Sequence, residues 1–143
     1  MYENDLNILL KDSKIQAIKR TCNLIMVSII DKQEKLFCLH SECFFRVYHN
    51  KRNLLCSEDM YIKGRKTKRR FKWDKPSSSL FDDCIFDNSK LIIGINISDI
   101  KFFDNELRIF LENGVVVEII PNTTRDDVES YRLFSKDIDY IVI

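Results

Sequence analysis

Glycine, proline and alanine are all scarce in this sequence. Its 143 residues include three glycines, two prolines and a single alanine, Ala17. Helical proteins favour alanine and leucine, whereas the apolar residues here are mainly isoleucine, valine and phenylalanine. Such β-branched and aromatic side chains suit the pleated, half-buried surface of a sheet. The composition therefore predicts a domain rich in β-strands.

Long hydrophobic runs are also missing. The longest, 24–30, is interrupted by Ser28 and is far shorter than the roughly 20 residues that a membrane-spanning helix requires. The first residues lack the basic start and apolar run of a secretory signal. The five cysteines are an odd number, which fits free thiols better than a disulfide framework. These features predict a cytoplasmic protein with no membrane contact.

Net charge is nearly absent, at +1, although 31% of the residues are charged. The apolar fraction of 45% is ordinary for a folded protein, which argues against intrinsic disorder. A chain of this length buries roughly 70% of the surface that it exposes when unfolded, so it needs no metal or disulfide. We expect one domain over residues 1–143, with no cofactor. Nothing in the sequence sets the oligomeric state.

Alternation of apolar and polar residues predicts most of the secondary structure. The longest alternating run is 35–48, which we expect to form one long strand. Ser79 and Asp82 have the spacing of a helix capping box, so a helix should follow Ser79 and extend to Leu91. A shorter run at 6–10 fits either a helix or an edge strand, and 123–131 fits a short acidic helix. Further strands are expected at 15–18, 24–30, 54–57, 92–100, 107–112, 115–120 and 140–143.

These elements predict an α+β fold. We expect a curved antiparallel sheet or open barrel of six or more strands, with one main helix packed on it. Asn113-Gly114 suits a two-residue type I′ turn between strands 107–112 and 115–120. In that register Glu118 lies on an apolar face and needs a partner or a cleft.

One stretch, 63–75, holds nearly all of the excess positive charge. It has eight basic residues and one acidic residue, a net of +7, so the rest of the chain carries −6. Three interpretations are open: a solvated loop, a docking site for an acidic protein surface, and a nucleic-acid site in which aromatic rings stack on bases. The acidic remainder would repel a nucleic acid elsewhere on the molecule. The basic loop spans about 63–76, and its candidate partner-binding residues are Lys66, Lys68, Arg69, Arg70, Phe71 and Trp73.

Candidates for chemistry are weak by comparison. On a single strand, His40 and Arg46 would share a polar face about 20 Å apart, and Arg46 could pair with Glu118, either structurally or around a ligand. Cys38-x-His40-x-x-Cys43 resembles a metal motif, but Cys43 would point to the opposite face, and no C-x-x-C pair exists. Cysteines within apolar patterns stay protonated and inert. We therefore expect neither a metal site nor an enzyme.

Several short motifs in fixed order resemble a family of small, largely uncharacterised bacterial proteins. The resemblance covers about 15–134, and members often end in Trp-Arg-Leu-Phe, where this chain has Tyr131 in place of the tryptophan. The matching pieces are Leu39-His40, Phe45-Arg46, Ser57-x-Asp59-x-Tyr61, Phe71-x-Trp73-Asp74, Leu80-Phe81-Asp82, Leu107-x-Ile109-x-Leu111-x-Asn113-Gly114-x-x-x-Glu118, Pro121 and Tyr131-Arg132-Leu133-Phe134.

Some similar proteins are encoded beside polymorphic toxins, which implies a role as an immunity protein. Such a protein needs no active site, only a surface complementary to its toxin. The resemblance also implies a shared polar cluster, either ion pairs that maintain the fold or a small ligand site: His40, Arg46, Asp59, Glu118 and Arg132. The leading hypothesis is a non-catalytic protein that binds and neutralises a partner toxin. The alternative is a nucleic-acid-binding module that uses 63–75.

Overall fold

The computed structural model describes residues 3–66, 70–136 and 138–143 of the chain. Strands are the commonest regular element among these residues, and there are ten of them. None of the helices within the described ranges is long and apolar enough to cross a membrane. The strands are β1 (Lys14–Thr21), β2 (Leu24–Ile30), β3 (Leu36–Ser41), β4 (Phe44–His49), β5 (Arg52–Cys56), β6 (Ile97–Phe103), β7 (Glu106–Leu111), β8 (Val116–Ile120), β9 (Tyr131–Ser135) and β10 (Ile138–Val142).

The strands form two antiparallel sheets of five strands each, which confirms an α+β fold but not a single curved sheet. Sheet one has the order β1-β2-β3-β9-β10, and sheet two has the order β5-β4-β8-β7-β6. Neither sheet closes into a barrel. Buried apolar side chains from both sheets belong to one continuous core, which includes Phe37 and Leu39 of sheet one and Phe45 and Val117 of sheet two.

The expected long strand over 35–48 is wrong. The chain bends at Glu42 and Cys43 and passes from β3 in sheet one to β4 in sheet two. Ser41, Cys43 and Phe45 are all buried, so the alternation of buried and exposed residues continues through the bend. The pattern that predicted one strand therefore hides the change of sheet.

Short helices cover parts of the two sheets. The predicted capping box is confirmed, because the Ser79 side chain accepts from Asp82 N while the Asp82 carboxylate accepts from Ser79 N. The helix that it starts ends at Asp87, however, and neither α1 nor α2 stands out as a main helix, since both have eight residues. The helices are α1 (Glu3–Leu10), a 3₁₀ helix (Ser57–Tyr61), α2 (Leu80–Asp87) and α3 (Ser89–Ile92).

Two further expectations fail at the C-terminal part of the chain. Residues 123–131 contain no helix, and β9 begins at Tyr131. The loop between β7 and β8 is not a type I′ turn, because only Gly114 has a positive φ there (+87°). Gly114 N donates to Leu111 O, and Leu111 N donates to Val115 O, so three residues form the loop.

Candidate binding surface

The basic segment, defined as residues 63–75, is attached to the body of the protein at its first end. Gly64 N donates to Ser78 O at 2.9 Å, and the Asp83 carboxylate accepts from the backbone N–H groups of Arg65 and Lys66 at 2.7 and 3.2 Å. A Cβ atom on Gly64 would lie 2.9 Å from Asp83 Oδ2 and from Ser79 O. Only glycine permits this close approach to α2.

Arg20 attaches the other end of the basic segment. Its guanidinium, on β1, donates to the backbone oxygens of Trp73 at 2.6 Å and Lys75 at 2.9 Å. It also makes two 2.9 Å bonds to the two oxygens of the Asp82 carboxylate. The Arg20 side chain is only 1% exposed. One buried, bidentate ion pair thus connects β1, the basic segment and the first turn of α2.

The Asp82 carboxylate is held in its charged form. Burial would raise its pKa, but hydrogen bonds from Arg20 and Ser79 outweigh burial, and the net effect lowers the pKa below the ordinary value of 3.8. Ser78 adds two more contacts, because its hydroxyl donates to Lys72 O and Lys75 O. The described ends of 63–75 are therefore attached to the body of the protein through their backbone.

Most basic side chains of this segment point into solvent. Among the described residues, five of them are exposed and form no ion pair: Lys63, Arg65, Arg70, Lys72 and Lys75. Lys66 differs, since it pairs with Asp87 and lies over the Phe86 ring, 4.5 Å from its centroid. Lys68 and Arg69, two of the predicted partner-binding residues, lie outside the described residues.

Aromatic side chains lie beside these charges. The Trp73 ring contacts the Tyr61 ring, with centroids 5.2 Å apart, and the two residues remain 40% and 49% exposed. Ile62 next to them is also exposed, whereas Phe71 is half-buried. The result is an aromatic and apolar patch bordered by unpaired cations, which we call the basic surface: the exposed part of the described residues 61–66 and 70–75.

The predicted polar cluster does not come together. Arg46 and Glu118 are paired across β4 and β8, with Arg46 Nε 2.8 Å from Glu118 Oε1, so the expected ion pair is present. Glu118 is 2% exposed, and Arg108 Nε lies 2.9 Å from its other oxygen, in a geometry that does not direct the N–H at that oxygen. The two guanidinium groups lie over the rings of Tyr48 and Phe103.

Glu118 is not on the apolar face that the sequence predicted. Because the loop has three residues, Glu118 pairs with Arg108, and Ile109 pairs with Val117. A shift of one residue in register moves every side chain of a strand to the other face. The carboxylate therefore meets two arginines on the outer side of sheet two, where it connects β8 with β4 and β7.

His40 and Arg46 lie in different sheets, which overturns their expected place on one strand face. His40 pairs with Arg132 across β3 and β9, and its ring meets the Phe134 ring edge-on at 4.8 Å. His40 and Arg132 line a cavity of about 260 Å³, and Arg132 Nε donates to Glu129 Oε1 at 2.6 Å. Burial lowers the pKa of His40 most, Glu129 opposes this, and Arg132 adds to it.

Asp59 stands apart from both groups. It lies half-buried in the 3₁₀ helix and forms no ion pair within the described parts of the chain. Burial raises its pKa, and Glu58 adds to the effect. The five residues that the family resemblance grouped thus occupy three separate places.

Four of the five cysteines show the environment of unreactive thiols. All five are free. Burial raises the pKa of four of them, Cys38, Cys43, Cys56 and Cys84, so these thiols stay protonated at neutral pH. Residues 3–66, 70–136 and 138–143 contain no group of three or more side chains able to hold a metal ion.

Three residues that organise these sites were missed in the sequence. Arg20 lies two residues after Ile18 and therefore on the same, inward face of the strand. A charge at such a position is unusual and could have indicated a buried ion pair. Asp83 and Arg108 occupy ordinary positions for charged residues, in the first turn of α2 and on β7. Their partners are distant in sequence, so no local pattern shows the contacts.

No family model matches the chain, and neither a curated protein nor a solved structure matches it.

Proposed function

We propose that this protein is a non-catalytic binding protein that docks on an acidic surface of a partner protein and neutralises it as an immunity protein. The observation that carries the proposal is the basic surface, in which unpaired cations flank exposed aromatic rings on a segment attached to the fold. Tryptophan, tyrosine and arginine are the residues that most often dominate binding energy at protein interfaces.

Attachment of the segment supports binding as its role. A flexible loop loses conformational freedom when it binds, at about 0.5–1.5 kcal/mol for each immobilised long side chain and more for the backbone. Here Arg20 and Asp83 already hold the backbone at both ends. Much of the ordering cost is therefore met during folding, which favours a preformed docking surface.

The charge distribution supports an acidic partner. The basic segment carries +7 on a chain whose other residues carry −6. Complementary potentials speed association and select partners. A partner with an acidic patch is attracted to the basic surface, while the acidic body orients its approach.

A growth experiment tests this function. The C-terminal domain of the large open reading frame beside the gene is expressed alone, with the wild-type protein, or with the double variant Arg70→Glu/Lys72→Glu. The control is Lys51→Glu/Arg52→Glu, an equal charge reversal at the exposed β4–β5 turn. We expect the domain to arrest growth, and the wild type and the control, but not the basic-surface variant, to restore it.

Two results would contradict the proposal. Failure of the wild type to restore growth would refute the immunity role. Restoration by all three proteins would place the interface elsewhere than the basic surface.

The second candidate is nucleic-acid binding, which the exposed faces of Tyr61 and Trp73 favour. Bases stack on such rings, and each stacked base contributes about 1–3 kcal/mol. This alternative predicts RNA binding that weakens steeply with salt and is lost in Trp73→Ala. Retention of RNA affinity in Trp73→Ala would exclude stacking on this patch.

A further inference from the structure

A groove of about 500 Å³ separates the outer edge of β1 from α2. Four consecutive residues, 18–21, line one side of it, and α2 and its flank contribute Asp82, Ile85, Phe86 and Ser89. Successive residues of a strand point to opposite faces of the sheet. When four in a row border one groove, the groove meets the edge of the strand and its backbone, and Met26 of β2 shows that it also extends over the neighbouring face of sheet one.

The edge of β1 is open along this groove. Its first part is covered, because Ile97 N donates to Ser13 O and Gly94 N donates to Ile15 O. From Gln16 to Thr21, no hydrogen bond in the described part of the chain reaches the backbone from outside the β1–β2 pair. Alternate residues of an edge strand direct their N–H and C=O groups away from the sheet, ready to pair with another strand.

Both edges of sheet two are covered by helices. Asn7 of α1 bonds the N–H and C=O of Ile100 on β6, and Glu3 accepts from Phe102 N. Asn88, which ends α2, donates to Leu54 O on β5. Beside β1, by contrast, the groove separates α2 from the strand, so the unpaired backbone groups of β1 border free space.

The groove has an apolar wall and a basic rim. Phe86 on α2 is 74% exposed, and Ile85 and Met26 are half-buried beside it. The exposed Phe86 ring thus gives the groove apolar surface that an entering side chain can cover. Lys66 lies over the Phe86 ring, and the exposed Lys19 lines the β1 side.

The acidic groups at the groove are already neutralised. Asp82 is bound by Arg20, and Asp87 is bound by Lys66. An entering segment therefore meets Lys19, which forms no ion pair in the described part of the chain, while Lys66 is already paired with Asp87. The groove matches a segment that combines apolar and acidic side chains.

We propose that this groove binds an extended segment of the partner protein, which adds to β1 as a sixth strand of sheet one. Main-chain hydrogen bonds to 16–21 give affinity, as in other cases of strand addition, and pockets for alternate side chains give specificity. The apolar side chains of the segment pack on Phe86 and Ile85, and an acidic side chain reaches Lys19. The inference rests on the proposed function, since the segment belongs to the same partner.

A synthetic peptide tests the inference without the partner. The probe is a short, end-blocked, fluorescent peptide in which valine alternates with glutamate, and affinity is measured by anisotropy. Three matched peptides serve as controls, one with lysine in place of glutamate and two with N-methyl groups on every second backbone nitrogen, one for each register. The two N-methyl registers distinguish nitrogens that face β1 from those that face solvent.

We expect the glutamate peptide to bind at least tenfold more tightly than the lysine peptide. One N-methyl register should abolish binding and the other should leave it unchanged. Bound peptide should slow hydrogen exchange at alternate amides of 16–21. Phe86→Ala should weaken binding about tenfold, whereas Ile8→Ala, which truncates an even more exposed residue (84%) on α1, should change it less than twofold.

Absence of binding, binding that ignores both N-methyl registers, or binding without exchange protection at 16–21 would overturn the inference. Self-association of the free chain through β1 would also overturn it, because a second copy would then be the occupant. Failure here with a positive growth experiment leaves the proposed function standing. If the peptide binds as expected but the protein does not restore growth, only the immunity role is refuted.

Discussion

Glu118 carries a carboxylate almost fully removed from water between two arginines. Taking a charge out of water is costly unless it is paired, so the contacts to Arg46 and Arg108 are what make this position tolerable. The arginines remain partly in solvent, which reduces the strength of each contact. We expect the residue to stabilise sheet two, since each of its carboxylate oxygens lies within 3 Å of an arginine.

Glu118→Gln tests this structural role. The amide keeps the shape but loses the charge, and a hydrogen bond to a charged group contributes about 1.5–3 kcal/mol. We expect the free energy of unfolding, measured in urea, to fall by about 2 kcal/mol. The control Glu129→Gln removes an exposed pair with Arg132 and should change stability by less than about 1 kcal/mol. Equal effects of the two substitutions would argue against a special role for Glu118.

His40 offers a second test at the level of one residue. Because burial lowers its pKa, with a further contribution from Arg132 and opposition from Glu129, its NMR titration should have a midpoint below 6.5. Arg132→Gln should move the midpoint up, and Glu129→Gln should move it down. A folded-state pKa below the unfolded value means that stability is lost as the pH falls through the titration. A midpoint above 6.5 would contradict the described packing against Phe134.

Among the elements, α2 organises the basic surface. Its first turn presents Asp82 to Arg20 and Asp83 to the backbone of Arg65 and Lys66. Ser79 caps the same turn. One helix N-terminus therefore holds both ends of the segment that we propose binds the partner.

Asp83→Ala should release one end of the segment. The amides of Arg65 and Lys66 lose their acceptor, so their hydrogen exchange should accelerate at least tenfold while the strand amides stay protected. Asp87→Ala, on the same helix, removes the Lys66 pair and should leave both amides unchanged. Unaltered exchange in Asp83→Ala would mean that other contacts hold the segment.

Asp82 predicts an acid-dependent loss of stability. Its pKa is lowered in the folded protein, so its contribution is complete above about pH 3.8 and disappears as the pH falls through the lower, folded-state value. Asp82→Asn breaks a buried pair and should cost about 3–5 kcal/mol at neutral pH. The difference from wild type, followed by urea unfolding, should shrink below about pH 4. A difference independent of pH would contradict the assignment of charge to Asp82.

Alternation and capping predicted the elements better than their arrangement. The Ser79–Asp82 box and strands such as β2 follow from local patterns. The bend at Glu42–Cys43 leaves the alternation intact and so leaves no trace in the sequence. The predicted register of the β7–β8 hairpin was wrong because the loop has three residues. The Asn113 side chain accompanies this loop, since it donates to Leu91 O and accepts from Val115 N. The Arg20 contacts join residues more than 50 positions apart, beyond any local pattern.

At the scale of the whole molecule, the excess positive charge is concentrated in one segment that is attached at one place in the fold. The two sheets share one core, and the residues outside the basic segment carry a net negative charge. The basic segment is attached where β1 meets α2. The open edge of β1 lies beside this attachment, with Arg20 contacting the segment and lining the groove. A partner could therefore contact the basic surface and the groove together.

The central claim is that the basic surface binds an acidic partner protein. Calorimetric titration of the neighbouring gene's C-terminal domain, and separately of a single-stranded RNA, into wild type and Arg70→Glu/Lys72→Glu tests it directly. We predict that the wild type binds the domain at least a hundredfold more tightly than the RNA and that the charge reversal weakens domain binding at least tenfold, a loss of about 1.4 kcal/mol or more. Tighter binding of the RNA, or a domain affinity that the charge reversal leaves unchanged, would contradict the account.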